Sequence, residues 1–220
     1  MIDLYCERVA PGLLGEPLNA VTNLAFLAAA AFAGRLAARR RGLDRAVGFL
    51  VALVGAIGIG SLLFHTFATP WAMAADVVPI LLFQVAFLWI YADRVLGFGW
   101  AARAAAVAVL VGAILVSGRQ PELLNGSIAY LPALLTLLLL GIGHWQRAAA
   151  GRALLLTATG LLLVSLTART ADLALCDVFP VGSHLFWHLL NGLVLYLVMR
   201  ALVLNLAPGS TDAGRAARSR

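Results

Sequence analysis

The chain contains 220 residues, of which 62% are hydrophobic and only 12% are charged, and its formal net charge is +6. A soluble domain is about half apolar and about a quarter charged, so this composition excludes a soluble enzyme and indicates a polytopic membrane protein. Every positive side chain is an arginine, and the arginines cluster between the apolar stretches. Membrane topology explains such clusters, so nucleic acid is not an expected partner.

The chain begins with a polar, acidic segment over residues 1–17, which we expect to lie outside the membrane. This segment has no basic stretch ahead of the first apolar span, so it does not predict a cleavable signal peptide. Seven apolar stretches follow, each close to the ~20 residues that a helix needs to cross a bilayer. They cover residues 18–38, 45–67, 73–94, 100–117, 127–146, 152–171 and 184–206. The sequence therefore predicts an all-α bundle of seven transmembrane helices, which forms one domain over residues 18–206 and precedes a short basic tail over residues 207–220.

The arginines also predict the orientation of this bundle. Most of them lie in the first, third and fifth loops and in the C-terminal tail. Because positively charged loops remain on the cytoplasmic side, we expect the N-terminus outside and the C-terminus inside. The alanine-rich, all-arginine composition suggests a bacterial source, so the expected location is the bacterial inner (plasma) membrane.

Five polar side chains lie in stretches that otherwise predict lipid-buried helix. Ser61 and His65 are four residues apart, as are His184 and His188, and this spacing stacks side chains on one face of a helix. Asp76 follows in the third span, beyond a proline break. In the predicted topology all five lie in the outer third of the membrane. Ionisable groups inside a membrane are functional-site hypotheses by default, so their shared depth predicts a single site.

The residue types indicate an intramembrane zinc hydrolase. A catalytic zinc ion takes three protein ligands and keeps a fourth position for water, and His65, His184 and His188 match that count. Asp76 is then the expected general base, and Ser61 is expected to stabilise the oxyanion. The substrate would enter from the bilayer, which favours a lipid amide or ester. Nothing in the sequence predicts an obligate protein partner.

Two cysteines and a fourth histidine lie outside this group. Cys6 and Cys176 both lie on the predicted outer side, where they could form a disulfide or remain two free thiols. His144 lies at the inner end of the fifth span beside a tryptophan, and we interpret it as a membrane-boundary residue outside the site.

The motif Ser-x3-His-x10-Asp, followed far downstream by His-x3-His, resembles the alkaline ceramidase family. That family belongs to a larger group of seven-span membrane hydrolases that includes adiponectin-type receptors. The resemblance covers essentially the whole chain. It implies an amidase that hydrolyses ceramide or a related lipid amide to a fatty acid and a long-chain amine. It also implies a zinc ion on the three histidines, Asp76 as base, Ser61 at the oxyanion and a Cys6–Cys176 disulfide.

The family also has a calcium site near the zinc, and the resemblance extends it to this chain with departures. The matching positions are Asp3, Tyr5, Glu7 and Glu16. Asp3 is one residue further from Cys6 than the family pattern requires. An expected asparagine after Glu7 is replaced by Val9 and Ala10. Calcium is thus expected to bind here, the alternative being a solvated acidic arm.

Three other functions compete with the hydrolase. The same scaffold could form a receptor-like or lipid-binding membrane protein with a structural zinc, but such a zinc needs neither Ser61 nor Asp76. A serine protease could use Ser61 with one histidine, but it leaves two histidines unexplained. A haem protein would place axial histidines on different helices, whereas His184 and His188 lie one turn apart.

Overall fold

A computed structural model describes residues 1–10, 12–147 and 150–206. Within these residues all regular structure is helical. The α-helices are α1 (Pro17–Thr22), α2 (Leu24–Arg39), α3 (Arg45–Phe67), α4 (Pro70–Arg94), α5 (Trp100–Ser117), α6 (Leu131–Gln146), α7 (Leu154–Ala171) and α8 (His184–Leu204). Short 3-10 turns occur at Leu13–Gly15, Ser127–Tyr130 and Leu173–Leu175.

Among the described residues, seven helical segments are long and apolar enough to cross a membrane, the first formed by α1 and α2 together. The predicted all-α, seven-span fold class is therefore confirmed, and the chain is a multi-pass membrane protein. The third span begins at Pro70 rather than at residue 73, because proline is favoured in the first turn of a helix. The sixth span begins at Leu154 and the last ends at Leu204. The predicted tail over residues 207–220 lies outside the described residues.

The helices α3 and α4 form a tight antiparallel pair. A single left-handed residue, Ala68, ends α3 with a φ of 50°, and α4 begins two residues later. A Cβ atom on Gly60 would lie 2.0 Å from the backbone oxygen of Ala75, so only glycine permits this approach. The contact brings the segment with Ser61 and His65 against the turn of α4 that carries Asp76.

The helix α8 packs between α2 and α7, and α3 packs against α2 on its other side. A Cβ atom on Gly192 would lie 2.9 Å from the backbone carbon of Ala25, so α8 and α2 also touch at backbone level. The buried core is built mainly from the inward faces of these helices. The two histidines at the start of α8 thereby lie beside the last turn of α3.

The N-terminal segment folds across one end of the bundle. The Ile2 amide donates to the Ala68 carbonyl (2.8 Å) and the Gly12 amide donates to the Thr66 carbonyl (3.1 Å), so the segment follows the end of α3. A disulfide joins Cys6 to Cys176, 170 residues away, in the connection before α8. We call this end of the bundle, formed by residues 1–10 with the end of α3 and the starts of α4 and α8, the site end.

Candidate metal centre and active site

Three buried histidines converge at the site end from two helices. His65 lies in the last turn of α3, and His184 and His188 lie in the first two turns of α8. Each is at most 2% exposed. Ring centroids are 4.7 Å apart for His65 and His188 and 5.3 Å apart for His65 and His184. One nitrogen from each ring lies within 4.8 Å of the others, so the three side chains could bind one metal ion.

The hydrogen bonds of the rings show which nitrogens are free. The Thr22 hydroxyl donates to the Leu18 carbonyl (2.8 Å), so its oxygen accepts from Nδ1 of His188 (2.8 Å). His65 Nδ1 lies 2.5 Å from Glu16 Oε2, and the carboxylate accepts a hydrogen bond from the Nδ1–H group. In both rings Nδ1 is therefore the protonated nitrogen, and Nε2 keeps its lone pair.

Two ring nitrogens are buried without a hydrogen-bond partner among the described residues, namely His188 Nε2 and His184 Nδ1. An unsatisfied buried polar atom costs about 1–3 kcal/mol, so two in one cluster need an explanation. A metal ion bound by three imidazoles provides one, since it uses the lone pairs that the hydrogen bonds leave free. Three nitrogen ligands with one open position are compatible with zinc.

A fully buried carboxylate holds the start of α8 in place. Asp172 Oδ1 accepts from the amides of Ser183 (2.6 Å) and His184 (2.9 Å), and Oδ2 accepts from the amide of Cys6 (3.0 Å). Gly182 is required beside it, because φ is +67° and a Cβ atom would lie 2.2 Å from Asp172 Oδ1. Asp172 thus caps the histidine-bearing helix from twelve residues away, beyond the range of local capping patterns.

Ser61 and Asp76 lie on adjoining faces of α3 and α4. Ser61 is buried one turn before His65, and its side chain interacts with that of Asp76. Tyr5 covers this corner from the N-terminal segment. Its ring stacks on His184 with centroids 3.6 Å apart and lies 5.4 Å from His65. Burial raises the pKa of the Tyr5 hydroxyl, while the positive charge of Arg169 opposes the rise.

Arg169 is a buried cation near the site, and no motif in the sequence singles it out. Its Nη1 donates to the Asn125 carbonyl (2.5 Å) and the Ser127 hydroxyl (3.0 Å). Its guanidinium lies 5.3 Å from the Tyr130 ring centroid and 5.8 Å from that of Trp187. Its side chain thereby ties the last turn of α7 to the segment before α6.

The residues expected to bind calcium do not fit that ion. Glu7 accepts from the amides of Leu18 (2.6 Å) and Asn19 (2.7 Å), one through each oxygen. Glu16 Oε2 accepts from His65 and from the Asn19 side chain (2.9 Å), and Glu16 Oε1 forms an ion pair with Arg8. Calcium takes six to eight oxygen ligands, whereas three of these four oxygens accept hydrogen bonds from the protein and the fourth, Glu16 Oε1, faces the Arg8 guanidinium.

The remaining expected calcium ligands also lie elsewhere. Asp3 is exposed on the outside of the N-terminal segment, and Tyr5 is stacked on His184. The alternative of a solvated acidic arm does not hold either, because Glu16 is fully buried and Glu7 is 7% exposed. Burial raises the pKa of the Glu16 carboxyl, while the Asn19 hydrogen bond and the Arg8 charge oppose the rise.

His144 is not the membrane-boundary residue that the sequence suggested. It is fully buried at the opposite end of the bundle, where its Nδ1 lies 2.5 Å from the Tyr91 hydroxyl and its Nε2 lies 3.3 Å from the Gly151 carbonyl. Its neighbour Trp145 is 44% exposed and is the residue with an interfacial position. The exclusion of His144 from the metal centre agrees with this geometry.

An apolar cavity of about 120 Å³ adjoins the metal centre. Its wall includes Phe26 and Trp187, whose rings lie 6.1 Å from His188 and 6.5 Å from His184. From there the cavity extends between the helices to Leu140 and Val198 in the middle of the bundle. Most of its lining residues are apolar.

A family model described as Ceramidase matches residues 4–211. No curated protein gives a significant match to the chain. The match covers nearly the whole sequence, so the chain belongs to the ceramidase family, as its motifs suggested. It is accordingly a hydrolase of the class that cleaves the amide bond of ceramide.

Proposed function

We propose that this member of the ceramidase family is an intramembrane zinc amidase that cleaves ceramide or a related lipid amide. The observation that carries the proposal is the pair of unpartnered buried nitrogens, His184 Nδ1 and His188 Nε2, in a cluster with His65 that could hold one metal ion. When bound, zinc supplies an activated water molecule and polarises the amide carbonyl. The chain would thus form one hydrolase domain over residues 18–206.

The hydrogen-bond partners of the ligands prepare them for the metal. Glu16 accepts a hydrogen bond from the Nδ1–H of His65 and Thr22 accepts one from the Nδ1–H of His188, so each ring is held in one tautomer and one orientation. Asp172 fixes the backbone of His184 by accepting from its amide. A site prepared in this way loses little entropy when the ion binds.

Asp76 and Ser61 act on the substrate in this proposal. Asp76 accepts a proton from the attacking water as the new bond to the amide carbon forms, and then passes that proton to the amine nitrogen as the carbon–nitrogen bond breaks. Ser61 donates a hydrogen bond to the carbonyl oxygen as negative charge develops on it. The products are a fatty acid and a long-chain amine.

The cavity beside the metal centre would hold one hydrocarbon chain of the lipid. Most of its lining residues are apolar, including Phe26, Trp187 and Val198, so an alkyl chain is favoured over a polar substituent. The amide at the head of that chain would then lie at the three histidines. The substrate would enter from the bilayer.

The proposed location is the bacterial inner membrane, with the site end on the periplasmic side. The arginine distribution supports this orientation, and so does the disulfide between Cys6 and Cys176. Disulfides persist in oxidising compartments and are rare in the cytosol.

The first test is metal analysis of the purified full-length protein in detergent, with fatty-acid release measured on ceramides of several acyl lengths. We expect about one zinc per chain, and release that stops on chelation and returns when zinc is added. Release that survives complete zinc removal would contradict the mechanism. Bound zinc without release from any ceramide would favour another lipid amide or the receptor-like function.

A further inference from the structure

Arg8 places a buried positive charge in the N-terminal segment, directly behind the metal centre. Its side chain and that of Glu16 are both 0% exposed, and the two form an ion pair through Nη2 and Oε1. The same Nη2 donates to the carbonyls of His65 (3.2 Å) and Phe64 (3.4 Å). One guanidinium thus contacts both the carboxylate that holds the His65 ring and the backbone of His65 itself.

The position of Arg8 at the end of α3 has a general electrostatic basis. The last four carbonyls of a helix have no intrahelical partner and carry the negative end of the helix dipole, which a cation stabilises. His65 and Phe64 belong to the last turn of α3, which ends at Phe67, and the Phe64 carbonyl also accepts from the Ala68 amide (2.9 Å). A buried carboxylate next to that negative end is unfavourable unless a cation neutralises it. Arg8 supplies that cation from within the chain.

We infer that the Arg8 guanidinium serves as a built-in cation in the acidic N-terminal cluster, so that the metal centre needs no bound calcium. In this role Arg8 is a positioning residue for His65. It holds Glu16 through the ion pair and holds the His65 backbone through the carbonyl contact. The positioning role of Arg8 rests on the proposed zinc centre, because it is tested through zinc affinity. The claim that no calcium is needed is tested separately, by calcium binding to the native protein.

The first measurement is calcium binding to the native, full-length protein in detergent, by equilibrium dialysis with radioactive calcium. We expect no stoichiometric binding at millimolar calcium, whether or not zinc is present. We also expect fatty-acid release to be unchanged by a calcium-selective chelator. One calcium bound per native chain would overturn the inference, even if the proposed zinc function fails.

The second measurement compares zinc affinity in Arg8→Gln, Arg8→Lys and native protein, by competition with a chromogenic chelator. Loss of a group that orients a zinc ligand typically weakens metal binding roughly 10–100-fold, and we expect Arg8→Gln to fall in that range. Arg8→Lys should recover part of the loss of zinc affinity, because lysine restores the positive charge but not the planar set of N–H donors of the guanidinium. A general packing defect is not expected to rank the zinc affinities in the order native protein, Arg8→Lys and then Arg8→Gln.

A matched control is Arg119→Gln, which removes an exposed arginine from the loop before Ser127. It should leave zinc affinity and calcium binding unchanged. Arg8→Gln with native zinc affinity would overturn the positioning role. If Arg8→Gln fails to fold, Arg8→Lys and the native calcium measurement decide the question.

Discussion

Both ends of this helix bundle bury histidine among polar groups, yet their hydrogen bonding differs. At the end opposite the site, both nitrogens of His144 have partners, in Tyr91 and the Gly151 carbonyl. At the site end, His184 and His188 each keep one buried nitrogen without a partner among the described residues. Burial alone therefore does not mark a metal ligand. What supports the proposed metal ion at the site end is that two unpartnered nitrogens lie in one cluster of three histidines.

The ion pairs at the two ends of the bundle also differ in their exposure to solvent. At the opposite end, Asp44 caps α3 and pairs with Arg94, and both side chains retain some contact with solvent. At the site end, Arg8 and Glu16 are completely buried and act on His65. Pairs with some solvent contact contribute little, whereas breaking a buried pair leaves an uncompensated charge. The site end is thus the more sensitive of the two to substitution.

The largest expected difference between the ends is in metal binding. His188→Ala should abolish bound zinc and reduce fatty-acid release to background, because the remaining two imidazoles cannot complete the site. His144→Ala should keep its zinc. Metal analysis and release assays on both purified variants check this prediction, and a His188→Ala protein with one zinc per chain would contradict the ligand assignment.

Asp76→Asn separates chemistry from metal binding at the site end. The amide cannot accept the water proton, so we expect release to fall about 10²–10⁴-fold while the zinc content stays native. Measurement of both quantities on the same preparation checks it. Loss of zinc together with activity would instead show that Asp76 is needed to build the site.

The disulfide should matter for stability more than for chemistry. Cys6→Ser with Cys176→Ser removes the link that holds the N-terminal segment over the histidines, and we expect a loss of about 2–4 kcal/mol in stability. Thermal unfolding in detergent, compared with reduced native protein, measures it. Equal melting temperatures for oxidised and reduced native protein would show that the disulfide does not stabilise the fold.

The smallest expected effect lies at the opposite end. Tyr91→Phe removes the hydroxyl that pairs with His144 and should cost about 1–3 kcal/mol, because the His144 nitrogen is left unsatisfied in the core. Zinc content and the rate of release should not change. A marked loss of zinc in this variant would mean that the two ends of the bundle are coupled.

The sequence by itself was sufficient to predict the seven spans, because hydropathy over one helix length is a local property. It also paired His184 with His188 and Ser61 with His65, since residues four apart on a helix share a face. The proximity of Asp76 followed from the short break between α3 and α4. These predictions rest on neighbours in the chain, and the family match agrees with them.

Only the tertiary structure decided which buried groups are already partnered. Thr22 reaches His188 across 166 residues, and Asp172 reaches the Cys6 amide across the same separation. The calcium expectation stays unsupported for this reason, because the sequence shows that Glu7 and Glu16 carry oxygens but not that amides, a histidine and Arg8 contact them. Hydrogen bonds between distant segments depend on how the helices pack, and no local pattern encodes that packing.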